Sequence, residues 1–355
     1  MKKIVFFIDS LSNSGGTERV TTVLANYLCN NNYDISILTL NNTGKSFFTL
    51  DNKIKVEHLH EKKSNKYTRY LQNILLIKKF YKVYQPDYWI DVCSALSLMS
   101  IPALSRTKVK IITWEHFNAN VEWNKITSPL ARILASKISY KIVTLTETDK
   151  EIFEQRFKAK NVLCIPNPIT INRKLTPCQS NNKRVLAIGR FEKQKGFDML
   201  LEIWAKCKCK DNGWTLKIIG DGKEKQKLIQ LIQSLKLSES VTLAPPTKNI
   251  IPEYQNAEIY AMSSRFEGLP LVLIEASTCG LPIISFDCET GPRDIIKNNE
   301  NGILIKTFDL EEFSLKLDFL TKSPEVRKNL SNKAIEYSKR YNIENISLLW
   351  NEILK

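Results

Sequence analysis

The feature that most constrains this chain is a rhythm that runs twice. Short, apolar, β-branched runs alternate with helix-length amphipathic segments. In the first half the pattern predicts strands at Ile4–Ile8, Ile35–Leu40, Val56–Leu59, Tyr88–Val92, Lys110–Thr113, Lys141–Leu145 and Val162–Ile165. Helical stretches such as Glu18–Cys29, Tyr67–Tyr84 and Leu130–Ser139 lie between them. Several of the runs are apolar throughout, as strands covered on both faces are. The pattern restarts with Val185–Ile188, Leu216–Ile219, Val241–Leu243, Ile259–Met262, Ile283–Ser285 and Ile303–Ile305, spaced by helices near Phe197–Lys206, Lys223–Leu235 and Leu271–Cys279. After Leu310 the chain reads as almost all helix, ending in Ile343–Leu354. Such alternation implies βαβ units and parallel sheets. The expected fold class is α/β, with two Rossmann-like, doubly wound domains facing each other across a cleft. Prolines and polar residues interrupt the periodicity between Asn167–Pro168 and Pro177, so the expected domains are 1–168, 169–340 and a terminal segment 341–355.

Composition narrows the class rather than the function. The chain has 355 residues, 43% hydrophobic and 25% charged, enough for two ordinary cores and unlike a disordered or fibrous chain. The start, MKKIVFFID, has only Ile4 to Ile8 as an apolar run before Asp9, short of the roughly 7–15 residues of a secretory leader. No stretch approaches the roughly 18 apolar residues of a membrane span. A cytoplasmic location, free or peripheral on the inner membrane face, is expected. The eight cysteines are scattered and read as reduced thiols. Cys207 and Cys209 form the one close pair, and with three histidines in the chain, His58 and His60 far from that pair, no metal site is expected. The net charge is +15, and residues 1–170 hold 24 Lys+Arg against 14 Asp+Glu, which suits an anionic partner.

Ligands of open α/β sheets bind beyond the carboxyl ends of the strands, and four motifs fall there. Asn13-Ser14-Gly15-Gly16-Thr17-Glu18-Arg19 follows the first strand. Its glycines and the helix start offer close backbone approach and free N–H groups to an anion, although the string matches neither the dinucleotide fingerprint nor a P-loop. Gly189-Arg190-Phe191-Glu192-Lys193-Gln194-Lys195-Gly196 opens the second half. Arg190 and Lys195 there suit the oxygens of a diphosphate. In Ser264-Arg265-Phe266-Glu267-Gly268-Leu269-Pro270-Leu271-Val272-Leu273-Ile274-Glu275-Ala276, Pro270 fits a first helical turn. The amides around Gly268, Leu269 and Leu271 suit phosphate, and Glu267 and Glu275 suit sugar and ribose hydroxyls. The fourth, Thr113-Trp114-Glu115-His116-Phe117-Asn118, offers His116 to a sugar hydroxyl or a developing charge. Read alone, the first string is equally a tight turn, the second a solvated basic loop, and His116 a structural histidine.

Together these strings resemble family 4 of the retaining glycosyltransferases, with the GT-B fold, over essentially the whole chain. Glu267 and Glu275 stand as its E-x₇-E signature, Arg190 and Lys195 as its cationic pair, Gly15-Gly16-Thr17-Glu18 as its glycine loop, and Ile165-Pro166-Asn167-Pro168 as its linker. Asn167-Pro168 departs from the Asn-Gly of many members. The resemblance implies a nucleotide-sugar donor, UDP-linked, with Glu275 on the ribose and Glu267 on the donor sugar. Arg190 and Lys195, helped by the amides of Gly15 and Gly16, would sit on the leaving diphosphate. His116 would lie near donor sugar and acceptor, Asn167 would complete the donor site, and the last helix would return to the first domain. Transfer would retain configuration, without metal or other cofactor. Trp114-Glu115-His116-Phe117-Asn118 and Glu289-Thr290-Gly291-Pro292-Arg293-Asp294 resemble enzymes of O-antigen, capsule, exopolysaccharide and lipid-linked oligosaccharide synthesis. A hexose or N-acetylhexosamine would pass to a glycan acceptor carried on undecaprenyl diphosphate.

Lys62–Tyr84 interleaves Lys62, Lys63, Lys66, Arg69, Lys78, Lys79 and Lys82 with Tyr70, Leu71, Ile74, Leu75 and Phe80. A basic amphipathic helix of this kind suits an anionic membrane surface, or else an ordinary helix with one face in the core. The alternative functions are a nucleotide-sugar epimerase or other enzyme of the same fold, and an inactive sugar-nucleotide-binding relative. No aromatic-basic platform marks a nucleic-acid partner.

Overall fold

A computed structural model describes residues 1–61, 69–121, 126–171 and 181–355. Lys62, Lys63 and Lys66 of the cationic segment, and Pro177 of the interdomain break, lie outside them. The chain forms two units, Met1–Thr170 with Asn342–Lys355, and Ile171–Tyr341.

In the first unit the strands are β1 (Lys3–Ile8), β2 (Asp34–Asn41), β3 (Lys55–His60), β4 (Tyr88–Asp91), β5 (Lys110–Trp114), β6 (Lys141–Thr144) and β7 (Val162–Cys164). Its helices are α1 (Gly16–Asn30), α2 (Tyr70–Tyr84), α3 (Ser94–Leu104), α4 (Thr127–Ile138) and α5 (Glu147–Arg156). The second unit has β8 (Arg184–Ile188), β9 (Thr215–Ile219), β10 (Val241–Ala244), β11 (Ile259–Met262), β12 (Ile283–Asp287) and β13 (Ile303–Lys306). Its helices are α6 (Phe197–Lys206), α7 (Lys225–Ser234), α8 (Ile251–Gln255), α9 (Leu271–Thr278), α10 (Pro292–Ile295), α11 (Leu310–Lys322) and α12 (Pro324–Ser338), and α13 (Ile343–Ile353) closes the chain in the first unit.

Both sheets are parallel, in the orders β3-β2-β1-β4-β5-β6-β7 and β10-β9-β8-β11-β12-β13. Each order reverses once, between β1 and β4 and between β8 and β11, as in a doubly wound fold. Apolar strand runs explain the cores. In the first unit Phe7 packs on Trp89 with ring centroids 5.5 Å apart, and Phe80 of α2 meets the same indole edge-on. In the second, Val185, Leu216, Ile218 and Ile284 pack beneath Leu200, Trp204 and Phe313.

The α13 helix belongs to the first unit because its apolar face is buried there. Trp350 is fully enclosed and meets Trp114 of β5 edge-on at 5.0 Å. The Tyr33 hydroxyl donates to Asn351 at 3.1 Å. On α2, Ile77 and Phe80 enter the core and Tyr70 and Ile74 pack against it. Of the apolar residues read as membrane-facing there, Leu71 and Leu75 are the ones exposed. Among the described residues no helix is long and apolar enough to cross a membrane.

Candidate functional site

In the second unit two loops leave the carboxyl edge at the β8–β11 reversal, Gly189–Gly196 and Ser263–Pro270. That is the place where ligands of open α/β sheets bind. Backbone and side chains tie the two loops together. The Arg265 N–H donates to the Gln194 carbonyl at 2.8 Å, and the Gln194 amide to the Phe266 carbonyl at 3.1 Å. Ser263 Oγ donates to the Gly196 carbonyl at 2.9 Å. Arg265 grips Asp198 through two bonds of 2.8 and 2.7 Å, the fork geometry that fixes orientation as well as energy. Gly196 turns at φ +64, and a Cβ there would lie 2.1 Å from the Ser263 carbonyl oxygen. The crossing of the loops therefore requires glycine.

This frame holds Lys195 against Glu267, with Nζ donating to Oε1 at 2.6 Å and side-chain exposures of 16% and 7%. The lysine stem crosses Gly189, where a Cβ would come within 3.1 Å of it. Thr290 Oγ1 donates to the Glu267 carbonyl. Burial and the Glu267 charge push the nearby Cys288 thiol up to about 12. Glu275, on α9, is buried and accepts the Tyr254 hydroxyl at 2.8 Å. Burial first, then the Glu275 charge, drives that phenol well above its usual range.

One local expectation is corrected. Pro270 does not occupy the first turn of α9; its extended backbone, ψ 102, makes it the residue before the helix, which starts at Leu271. No side chain caps that end, so the backbone at Gly268, Leu269 and Leu271 borders an uncapped helix start, with free donors of the kind that attract anions. Arg190 is not drawn into the cluster. Its side chain is 67% exposed and its ion pair is with Glu192 at 3.6 Å.

In the first unit, β5 delivers Glu115 and His116. Glu115 is buried, accepting the Ser94 hydroxyl at 2.5 Å and the Phe117 N–H at 3.3 Å. Burial lowers the His116 imidazole to about 3, so the ring is neutral near pH 7. The ring rests on Trp114 at a centroid distance of 4.3 Å, and its Nε2 is shielded from solvent with no hydrogen-bond partner among the described residues. Asn167 is buried with Oδ1 in the same condition. Gly15 precedes α1 at an ordinary extended φ of −75, and no side chain caps that helix either. A Cβ on Gly15 would meet the Glu18 carboxylate at 2.4 Å, a contact the flexible end of that side chain can relieve.

Cys207, Cys209 and Asp318 bring three metal-capable atoms within 4.8 Å of one another, a grouping hidden in the sequence because Asp318 is distant from the pair. The Asp318 oxygens already accept the Lys208 and Cys209 N–H groups, both at 2.9 Å. The Cys209 hydrogen bond and burial raise the Cys207 thiol far above its usual range. The trio holds a turn together.

The second half of the chain, residues 169–337, matches the family described as Glycosyl transferases group 1, and residues 14–173 match Glycosyltransferase Family 4. A glycosyltransferase of Haemophilus influenzae is 36% identical over the full length of both chains. The amylovoran biosynthesis glycosyltransferase of Erwinia amylovora is 35% identical, again over the full length of both. The chain belongs to glycosyltransferase family 4.

A Campylobacter jejuni N-acetylgalactosaminyltransferase acting on an undecaprenol-linked glycan is 29% identical, over 100% of this chain and 98% of that one. Staphylococcus aureus TarM, solved with UDP, superposes with a TM-score of 0.83 at 17% identity over 99% of each chain. The fold is GT-B. In this family 4 transferase the motif residues were legible, but their supports were not. Tyr254 lies 21 residues from Glu275, and Arg265 was read only as part of a string. The largest omission is Arg132 of α4. Fully buried, it donates to the carbonyls of Ala119, Asn118 and Val121 and pairs with Glu115 at 3.4 Å. Asp149 completes the clamp by accepting the Ala119 N–H at 2.8 Å. A lone arginine among the small and aliphatic residues of SPLARILAS was the available signal.

Proposed function

We propose that the chain is a retaining glycosyltransferase moving a hexose or N-acetylhexosamine from a UDP-sugar to an undecaprenyl-diphosphate-linked glycan in bacterial surface polysaccharide synthesis. The observation that carries this reading is the buried-edge pair Lys195–Glu267, at 2.6 Å, beside an uncapped helix start and the enclosed Glu275. A nucleoside diphosphate arriving there competes with Glu267 for Lys195, and the carboxylate released is free to accept sugar hydroxyls. Glu275, already oriented by Tyr254, takes the ribose. Lys195, Arg190 and the amides of Gly268, Leu269 and Leu271 around the start of α9 neutralise the charge that grows on the diphosphate as the anomeric C–O bond breaks. The acceptor oxygen bonds to the same face of that carbon, and its proton leaves with the diphosphate. Stabilising a leaving group with fixed donors is electrostatic catalysis, and no metal is assigned a part in it.

To the first unit we assign the acceptor, with neutral His116 as the group that meets it, Asn167 with its unspent carbonyl as a further donor-site contact, and the start of α1 at Gly15 and Gly16 as an anion-binding end. The relatives of amylovoran biosynthesis and of transfer to an undecaprenol-linked glycan support the acceptor class, and the UDP complex of TarM supports the nucleotide. Peripheral attachment to the cytoplasmic membrane through the cationic 62–84 region fits a lipid-linked acceptor. The test is incubation with four UDP-hexoses and a lipid-linked glycan, with and without EDTA, read by UDP release and by NMR of the product anomer. Acceptor-dependent release with the donor's configuration retained and no effect of EDTA is expected. Sugar turnover without acceptor would make the protein an epimerase, and an inverted product would remove the mechanism.

A further inference from the structure

The first unit holds a cavity of about 410 Å³ that none of the motif residues lines. It lies on the β2–β3 side of the carboxyl edge, with walls from β2 and β3, the turn 42–46 and Leu11 after β1. That volume is in the range of small-ligand sites.

Three hydroxyls tie the turn down. Thr43 Oγ1 lies 2.5 Å from Ser10 Oγ and 2.6 Å from Ser12 Oγ, and those two are 3.0 Å apart. Closing the triangle uses all three protons, so lone pairs are what these groups still offer. Thr43 is a wall of the cavity, and Ser10 and Ser12 belong to the loop that runs on to Gly15. His58 adds a further acceptor. Thr39 Oγ1 donates its one proton to the Asn41 carbonyl at 3.0 Å, so at 2.6 Å from His58 Nδ1 it accepts. The neutral ring is thereby held as the Nδ1–H tautomer, with Nε2 left as acceptor.

Opposite chemistry completes the walls. Leu11 and Val56 are aliphatic, Lys45 is a donor, and no acidic side chain lines the cavity among the described residues. Clustered lone pairs repel an anion and accept from hydroxyl groups, while the aliphatic wall suits a C–H face. An uncharged pyranose has both. The strand order puts β5, which delivers His116, three places from β2 and four from β3. At about 4.8 Å per strand the cavity lies roughly 14–19 Å along the sheet from the end of β5, too far for one sugar to span.

We propose that this cavity is a second glycan subsite, holding an uncharged pyranose of the acceptor chain several residues from its reacting end. The proposal rests on the reading that the first unit takes the acceptor, and it adds a grip remote from His116. Two-point attachment makes the second contact intramolecular, so a long acceptor binds more tightly than a short one.

The chain has three histidines, so an imidazole nitrogen NMR spectrum of the isotope-labelled full chain can be assigned by single substitutions. The free protein should show His58 as the Nδ1–H form. The methyl glycosides of glucose, galactose and N-acetylgalactosamine are the probes, and at least one should shift His58 saturably, with an affinity of roughly millimolar order. Lys45→Ala should weaken that binding about three- to tenfold. Val56→Trp fills the cavity from an edge-strand position that accepts an aromatic. It should abolish the shift while its melting curve stays that of wild type. A His58 that no glycoside moves, or a shift that survives Val56→Trp, overturns the subsite. Glycosides that move His116 alone leave the acceptor reading standing without it. Inorganic phosphate that moves His58 where no glycoside does makes the cavity an anion site and overturns the proposal. A sugar that moves His58 in a protein that transfers to no glycan removes the acceptor reading, and with it the cavity's place in transfer.

Discussion

Replacing Lys195 with alanine perturbs two things that can be separated. The first is the fold. Glu267 is left with 7% side-chain exposure and, among the described residues, no other ion pair for the oxygen that Nζ met at 2.6 Å. An orphaned charged acceptor at such an edge costs about 2–3 kcal/mol. The second is chemistry, where losing one preorganised cation at the leaving group costs about 10²–10³-fold in kcat. UDP affinity should fall about ten- to a hundredfold, the equivalent of one charge-assisted bond. Adding Glu267→Gln to Lys195→Ala removes the orphaned charge, so urea unfolding should show most of the stability regained. UDP release in the transfer assay should stay at or below the level of the single variant, since Glu267 also serves the donor sugar. Turnover of Lys195→Ala within about threefold of wild type would refute the role of Lys195. Recovery of activity together with stability in the double variant would reduce Lys195 to a structural residue.

Three further outcomes follow from the geometry. Arg132→Met strips fully buried Glu115 of its cation and three loop carbonyls of their donor, so urea unfolding should record a loss of about 3–5 kcal/mol; a loss below about 1 kcal/mol would contradict the clamp. Burial raises the Asp91 carboxyl from 3.8 to about 7. The folded state then keeps a proton that the unfolded chain releases, so this contribution is full below about 4 and is lost as pH rises through about 7. The stability of Asp91→Asn relative to wild type should therefore climb between those values and level off, and a flat difference would count against the shift. Gly196→Ala forces a Cβ to 2.1 Å from the Ser263 carbonyl at φ +64. It should cost about 2 kcal/mol or more and lower UDP affinity in calorimetry, whereas a silent substitution would mean the loops need not cross.

Where the sequence was legible, one physical cause explains it. The strands lie within two residues of their predicted runs because a parallel sheet buried on both faces writes itself as continuous apolar segments. The α3 helix left no such trace. Ser94–Leu104 is buried on nearly every side and contains Pro102, so no polar face alternates with an apolar one. The predicted helix Leu130–Ser139 starts at Thr127, since Pro129 and an outward aliphatic face disguise its first turn. In the candidate site, Glu267 and Glu275 stand out by a local spacing and Lys195 as a cation before Gly196, but the pairing of Lys195 with Glu267 across 72 residues left no trace. Tyr254 on Glu275 and Arg132 on the 118–121 carbonyls were not readable either, because hydrogen bonds between distant segments leave no period in the sequence. Arg190 was readable as a cation, yet its side chain points to solvent beside Glu192.

The most direct test of the central assignment is a crystal structure of the chain with UDP. If the second unit holds the nucleotide, density for the ribose will lie on Glu275, and the diphosphate will lie against the start of α9 with Lys195 turned from Glu267 toward it. UDP bound elsewhere, with the Lys195–Glu267 pair still closed, would contradict it.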